Sequence, residues 1–213
     1  MRTFLRLKNQ RPRKLPAEFR DQDLRYADEL VATFVQRYTR PGDVVLDPFA
    51  GYGTTLIVAE AMGREPYGVE YDARRARYIR SQIRRPDRIV HGDSLRLLDY
   101  PIPPCDLAMT SPPFMGREDP ENPLANNGAP GAGYDAYLSD IQRIYAQVRQ
   151  RMKPDARAIL EVSNLKEPSG ITTLAWDIAR AVGEVLRFEG EIVIGWDRPS
   201  YGYDHSYCLV FRR

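Results

Sequence analysis

A chain of 213 residues, 43% apolar and with a formal charge of +2, is sized for one compact domain with a core of its own. The small charge admits a nucleic-acid partner without indicating one, although nearly all the basic residues are arginines, whose planar guanidinium suits bidentate contact with phosphate. Cys105 and Cys208 lie far apart in apolar runs with no metal-ligand spacing, which suggests neither a disulfide framework nor a zinc site, and no apolar run has signal-peptide or bilayer-spanning length. The expectation is a cytoplasmic protein with no membrane partner and no metal.

Residues 1–15 read as a basic tail. Residues 23–38 then carry Leu24, Ala27, Leu30, Val31, Phe34 and Val35 at helical spacing, and Pro41-Gly42 stops that helix. DVVLDP (43–48) reads as a buried strand, followed by a glycine-containing turn (49–53) and a helix over 54–62. A short strand ends at Glu70, an arginine-rich helix covers 73–83, a strand over 88–91 ends near Asp93, and another over 106–110 runs into two prolines. Beyond it come a helix over 134–152, a strand over 158–162, a helix over 171–188, and two final runs, 191–196 and 206–211, joined by a polar turn region and therefore antiparallel. This alternation predicts an α/β domain with a seven-stranded, mostly parallel sheet whose last strand is reversed. Residues 115–133 show no periodicity and are rich in Gly, Pro and Asn, which marks a long loop.

Two segments carry chemistry. In DPFAGYGTT (47–55), Gly51 and Gly53 fall between a strand and a helix, where glycine permits positive φ and close approach of backbone to a ligand. No Gly-Lys-Ser/Thr follows, which sets a phosphate-binding P-loop aside. Glu70 ends the next strand, where a carboxylate can accept from ribose hydroxyls, and Asp93 ends the third, where it can accept from an adenine amino group. In TSPPF (110–114), Pro112 and Pro113 stop the strand ladder and fix a rigid backbone whose carbonyls no neighbouring strand can use. Such acceptors suit an exocyclic amine, a poor nucleophile because its lone pair is delocalised into the ring. If Ser111 Oγ and the Pro112 carbonyl accept its two N–H groups, the nitrogen is drawn towards tetrahedral geometry, and Phe114 offers a face on which an extruded base can stack.

Taken together, DPFAGYGTT and TSPPF resemble the amino-methyltransferases of DNA, the N4-cytosine and N6-adenine family. The resemblance implies a class I, Rossmann-like methyltransferase fold, S-adenosylmethionine as donor, a DNA substrate, and a site-specific methyltransferase of the kind found in restriction-modification. It extends over most of the chain from about Pro16. PAEF (16–19) is similar to the family segment near the methionine end of the cofactor, and HSYCLVFRR (205–213) to its closing strand. By this likeness Phe19, Asp47, Pro48, Phe49, Gly51, Gly53, Thr54, Glu70 and Asp93 are the expected cofactor residues. Ser111, Pro112, Pro113 and Phe114 are the expected catalytic ones.

Three positions depart from the family pattern. Tyr52 stands where a small residue is usual and narrows the cofactor mouth. Ser111 replaces an aspartate, a form closer to the N4-cytosine enzymes. Residues 16–213 form a single domain with no segment large enough for target recognition, which keeps ribosomal or transfer RNA open as substrate. The loop over 115–133, with Arg117, Asn122, Asn126 and Asn127, is then the expected substrate contact, mobile alone and ordered over nucleic acid. Tyr201 and Tyr203 are further candidates for stacking bases. The arginines of the second helix read as solvated surface, and Trp176 and Trp196 as packing residues. A catalytically silent binding module and a small-molecule amine methyltransferase are the readings from other classes.

Overall fold

The structure, a computed structural model, describes residues 3–124, 133–200 and 203–213. Its first strand, β1 (Phe4–Leu7), lies in the segment read as a tail. A 3₁₀ turn over Ala17–Gln22 precedes α1 (Asp28–Tyr38). There follow β2 (Val44–Asp47), α2 (Thr54–Ala61), β3 (Glu65–Glu70), α3 (Ala73–Gln82), β4 (Ile89–His91), a 3₁₀ segment (Ser94–Asp99) and β5 (Cys105–Thr110). The second half comprises α4 (Tyr134–Arg151), β6 (Met152–Val162), a hairpin of β7 (Leu165–Glu167) and β8 (Gly170–Thr172), α5 (Leu174–Gly183), β9 (Arg187–Ser200) and β10 (Tyr203–Arg212).

Among the described residues the main sheet has eight strands in the order β1-β9-β10-β6-β5-β2-β3-β4. β10 runs antiparallel to both its neighbours, whereas β2 pairs in parallel with β3 and β5. The eighth strand is the correction to the expected seven. Phe4 to Leu7 pair in parallel with Val193 to Trp196, and Leu7 is buried beneath α1. The same segment continues over the domain, with Asn9 N donating to Asp197 at 2.7 Å and Leu15 packed among Phe19 and Tyr52. Four alternating residues in a basic stretch give too short a pattern to stand out as a strand.

Each face of the sheet has its own helices. α1 buries Leu30, Val31, Phe34 and Val35 against Ile192, Ile194, Cys208 and Val210, while α4 buries Tyr137, Ile141, Ile144 and Val148 against Ala158, Leu160 and Phe211 on the other side. Alternate residues of β6 serve the two layers, Ile159 the first and Ala158, Leu160 and Val162 the second. Burial on both faces explains the near-continuous apolar runs of these strands.

Several expected boundaries shift. α1 starts at Asp28, so residues 23–27 are not helical, and Leu24 stands 69% exposed at the mouth of the cavity described below. α5 starts at Leu174 because Gly170–Thr172 pairs with β7, held by Glu167, which accepts from the Thr172 hydroxyl. Trp196 packs as expected and donates to Ser206 Oγ at 3.1 Å, but Trp176 is 43% exposed and leans on Tyr207.

The glycine turn shows why sequence dictates geometry here. Gly53, the N-cap of α2, sits at φ +77°, and an added Cβ would meet Ile79 at 3.0 Å. Gly42 has a similar φ of +87° but open space around it. Gly42→Ala is therefore expected to cost the backbone strain alone, about 1–2 kcal/mol, and Gly53→Ala measurably more in urea unfolding. Equal losses would mean that α2 and α3 do not press on the turn.

Candidate active site

A cavity of about 510 Å³ opens at the carboxyl ends of β2, β3 and β5, within the roughly 300–1,000 Å³ of small-ligand sites. It lies where the chain order reverses, with β3 and β4 on one side of β2 and β5 and β6 on the other. Its walls are residues 48–52 and Thr54 of the glycine turn, 70–72 after β3, 93–95 after β4, and 111–114 after β5. The two motifs, about sixty residues apart in sequence, therefore face one space.

Among the expected cofactor residues, Pro48, Phe49, Gly51, Thr54, Glu70 and Asp93 line this cavity. Asp47, Gly53 and Phe19 do not; they stand behind it. Phe19 packs on the Tyr52 ring at 5.2 Å between centroids, and the Arg75 guanidinium lies over that ring at 4.9 Å, so Tyr52 is packed into the cavity wall. Ser111, Pro112, Pro113 and Phe114 all line the cavity.

The carboxylates do more than present charge. Glu70 Oε2 accepts from Gly51 N at 2.7 Å and Oε1 from Asp72 N at 2.9 Å, so one side chain fixes both the glycine turn and the turn into α3. Burial pushes its pKa up, and the two amides pull it back. Each oxygen keeps a lone pair for a ribose hydroxyl. Asp93 caps the 3₁₀ segment through Leu95 N at 2.9 Å, and its own amide donates to Tyr100 Oη at 2.8 Å. Asp47 is buried at the end of β2, accepts from Phe49 N at 3.0 Å and is raised to about 6 by burial, against the opposing pull of the Thr55 and Thr110 hydroxyls and the Phe49 amide.

The catalytic turn is equally constrained. Tyr137 Oη donates to the Pro113 carbonyl at 2.8 Å, whereas among the described residues nothing donates to the Pro112 carbonyl. Ser111 follows Thr110, the partner of Leu160 in β6, and burial raises the pKa of the adjacent Glu161 carboxylate while the Ser206 and Ser111 hydroxyls lower it. Sequence reasoning missed Glu161 because one acidic residue in the apolar run AILEV carries no motif. A buried acid in a central strand was the available signal. Also missed were Arg25 and Tyr26, which line the cavity from the segment mistaken for helix, and Tyr71.

The long loop departs from expectation where it is described. Arg117 pairs with Asp177 at 3.1 Å and lies 4.8 Å from the Tyr134 ring, Glu167 accepts from Arg117 N and Glu118 N, and Asn122 is buried and donates to Asp140 at 3.2 Å. Residues 115–124 are thus tied to the β7–β8 hairpin, α4 and α5. Asn126 and Asn127 fall outside the described residues, as does Tyr201. Tyr203 is half-buried with Lys166 Nζ 4.5 Å from its ring centre. In the arginine-rich segment, Arg74 and Arg85 are exposed and pair with Asp72 and Asp87, whereas Arg88 is largely buried and pairs with Glu65. No described helix is long and apolar enough to cross a membrane, and no described cluster of His, Cys, Asp and Glu could hold a metal.

A strand-glycine turn-helix unit, a carboxylate after the second strand and a reversed last strand are the marks of the class I methyltransferase fold, and solved structures agree on the fold. TrmN from Thermus thermophilus superposes with a TM-score of 0.62 at 18% identity, over 87% of this chain and 48% of that one. A TehB-like methyltransferase from Corynebacterium glutamicum gives 0.58 at 16% identity, over 91% of both. Within that class, residues 8–81 match the DNA methylase family of N6 and N4 amino-methyltransferases. DNA adenine methyltransferase YhdJ of Escherichia coli K12 is 37% identical over 81 residues, 38% of this chain and 26% of that protein. Type II methyltransferase M.BglII of Bacillus subtilis is 43% identical over 47 residues, 22% of this chain and 13% of the other. The chain thus spans about a quarter or less of the length of these curated relatives. S-adenosylmethionine is the cofactor of this class, and the residues present fit it, with the Glu70 and Asp93 carboxylates on one side of the cavity and a glycine turn and helix N-terminus on the other.

The raised pKa of Asp47 has a stability consequence. Its folded value of about 6 lies above the usual 3.8, so the folded state is favoured by protonation; this contribution is complete below about pH 4 and is lost as pH rises through 6. Asp47→Asn should remove that loss. Relative to the parent protein, the variant should gain on the order of 2–3 kcal/mol in urea unfolding between pH 4 and pH 7.5. A difference that does not change with pH would show that Asp47 is ionised without cost.

Proposed function

We propose that the protein transfers a methyl group from S-adenosylmethionine to the exocyclic amine of a base in DNA, with cytosine N4 as the acceptor. The observation that carries this reading is that Ser111, Pro112 and Phe114 line the same cavity as the glycine turn, Glu70 and Asp93. The cofactor supplies an electrophilic methyl group on a sulfonium. Glu70 and Asp93 hold its nucleoside end, and residues 48–52 with Thr54 bound the other.

The remaining task falls to the turn after β5. Glu161 accepts the Ser111 hydroxyl hydrogen, which leaves the Oγ lone pairs for an incoming N–H. The Pro112 carbonyl, which takes no donor among the described residues, takes the second N–H. With both hydrogens held by rigid acceptors, the amine lone pair is drawn out of conjugation and aimed into the cavity, so the residues contribute positioning and electrostatics without a covalent intermediate. Phe114, half-buried against the core, offers the ring face for the extruded base, a contact worth about 1–3 kcal/mol.

Serine at position 111 favours cytosine over adenine. Adenine N6 is the second reading, and what favours it is the name of the Escherichia coli relative, a DNA adenine methyltransferase. Both bases present an amine beside a ring nitrogen, so the same two acceptors suit either.

Mass spectrometry of nucleosides after incubation with cofactor and mixed DNA and RNA should find N4-methylcytosine in the DNA. N6-methyladenine alone would replace the cytosine assignment, and a methylated nucleoside only in RNA would replace DNA. Ser111→Ala should lower turnover on the order of 100-fold while affinity for S-adenosylhomocysteine stays unchanged. Full activity of Ser111→Ala on every nucleic acid would refute the amine-holding turn.

A further inference from the structure

Helices cover the sheet unevenly. On the face that carries α4 and α5, the buried cluster takes Leu209 and Phe211 from β10 but, among the described residues, none from β9 or β1. Residues paired across neighbouring strands share a face, so Phe4, Val193 and Tyr207 form one rung there and Arg6, Gly195 and His205 the next. Phe4 is 59% exposed, Arg6 is exposed, and Val193 and Gly195 are only half-buried, so this corner of the sheet is open.

What stands on the open corner is aromatic. The Phe4 ring lies over Gly195, where an added Cβ would meet it at 2.9 Å. Tyr207 lies 4.9 Å from Trp176 of α5 and 5.3 Å from His205, which in turn lies 5.4 Å from Tyr203, all between ring centroids. Hydrogen bonds fix this row, between His205 Nε2 and Tyr207 Oη at 3.1 Å and between His205 Nδ1 and Asp204 at 3.0 Å. Trp176 is nevertheless 43% exposed.

The charge of the face is in excess on the positive side. Arg6, and Arg180 one turn after Trp176 on α5, are exposed and make no ion pair among the described residues, while Lys166 Nζ lies 4.5 Å from the Tyr203 ring centre. Against these three cations stand three acids. Asp204 is engaged by His205 and Asp197 accepts the Asn9 amide at 2.7 Å, which leaves Glu191, opposite Leu209. A contact with a second copy of the chain would need contiguous aliphatic surface, and Val193 is the one aliphatic side chain of the two rungs. Rings beside cations suit bases and their phosphates instead. The position suits them too. β6 runs parallel to β5, and β10 antiparallel to β6 with Tyr207 opposite Val162, so His205 and Tyr203 lie towards the end of the sheet at which the cavity opens.

We propose that Phe4, Tyr207 and Trp176 form a platform on which unpaired bases of the DNA strand flanking the target base stack, with Arg6 and Arg180 on its phosphates. The identity of the partner rests on the nucleic-acid reading of the cavity, whereas the binding itself does not use the cavity. Paired bases have no free face to offer, so the platform implies single-stranded or locally opened DNA as the substrate.

The test is fluorescence anisotropy on the full chain with a labelled single-stranded oligodeoxynucleotide and with its duplex. The single strand should bind at least about tenfold more tightly. Phe4→Ala and Trp176→Ala should each weaken single-strand binding about 5- to 100-fold, the loss of one stacked base, and Trp176→Phe, which keeps a ring, should lose less. Affinity for S-adenosylhomocysteine should stay unchanged in all three. The other tryptophan, Trp196, is 8% exposed, so quenching of tryptophan emission by the single strand should disappear with Trp176. Unchanged single-strand affinity in the variants, or equal affinity of the parent protein for single strand and duplex, would overturn the platform. So would a parent dimer by light scattering that Phe4→Ala dissociates without loss of DNA binding, since the face would then join two copies. Single-strand binding that the variants lose, in a parent protein that methylates no nucleic acid, would refute the proposed reaction and leave the platform standing.

Discussion

A carboxylate buried at the end of β2 is the constraint on which the site depends. Asp47 takes the amide of Phe49, so the chain turns as soon as β2 ends, and it faces Thr55 of α2 and Thr110 at the end of β5. Parallel pairing of Val45 with Leu107 and of Leu46 with Ala108 brings those two strand ends level. The glycine turn and the proline turn therefore start from adjacent points. Burying a charge there is unfavourable, which is why the Asp47 pKa rises to about 6, and the cost is tolerated because it sets the register of two loops at once.

The same device recurs on neighbouring strands. Glu70 ends β3 and holds the amides of Gly51 and Asp72; Glu161, one residue before the end of β6, is a buried carboxyl whose pKa the Ser206 and Ser111 hydroxyls lower. Burial raises all three carboxyl groups, and each is drawn back by the donors it organises. For the proposed reaction such a framework would give preorganisation, with the acceptors in place before cofactor or amine arrives and little reorganisation left for the reacting complex. Phe19 and Arg75 pack against Tyr52 in the cavity wall, and Glu167 ties residues 117–118 to the β7–β8 hairpin.

Much of this was legible from local pattern. The strand-turn-helix at 44–61, the proline stop after Thr110 and the reversed final strand each have a short-range cause, so the alternation and the two motifs located them. The β1 strand did not, because its stability comes from Val193 to Trp196, far along the chain. Residues 23–27 were misread for the opposite reason: Leu24 and Ala27 fit a helical stripe, yet Arg25 is held extended by Asp23, and Tyr26 hydrogen-bonds Thr55. Arg117 and Asn122 looked like free substrate contacts because nothing in their neighbourhood announces Asp177 or Asp140 as partners. Glu161 was invisible as a site residue until the parallel neighbour of Ser111 was known.

In the proposed reaction one cavity brings the methyl donor to the turn that holds the amine. A crystal structure with S-adenosylhomocysteine should place the nucleoside between Glu70 and Asp93, with the sulfur facing Ser111 to Phe114. Ligand density elsewhere, or a sulfur shielded from that turn by Tyr52 or Phe49, would contradict it.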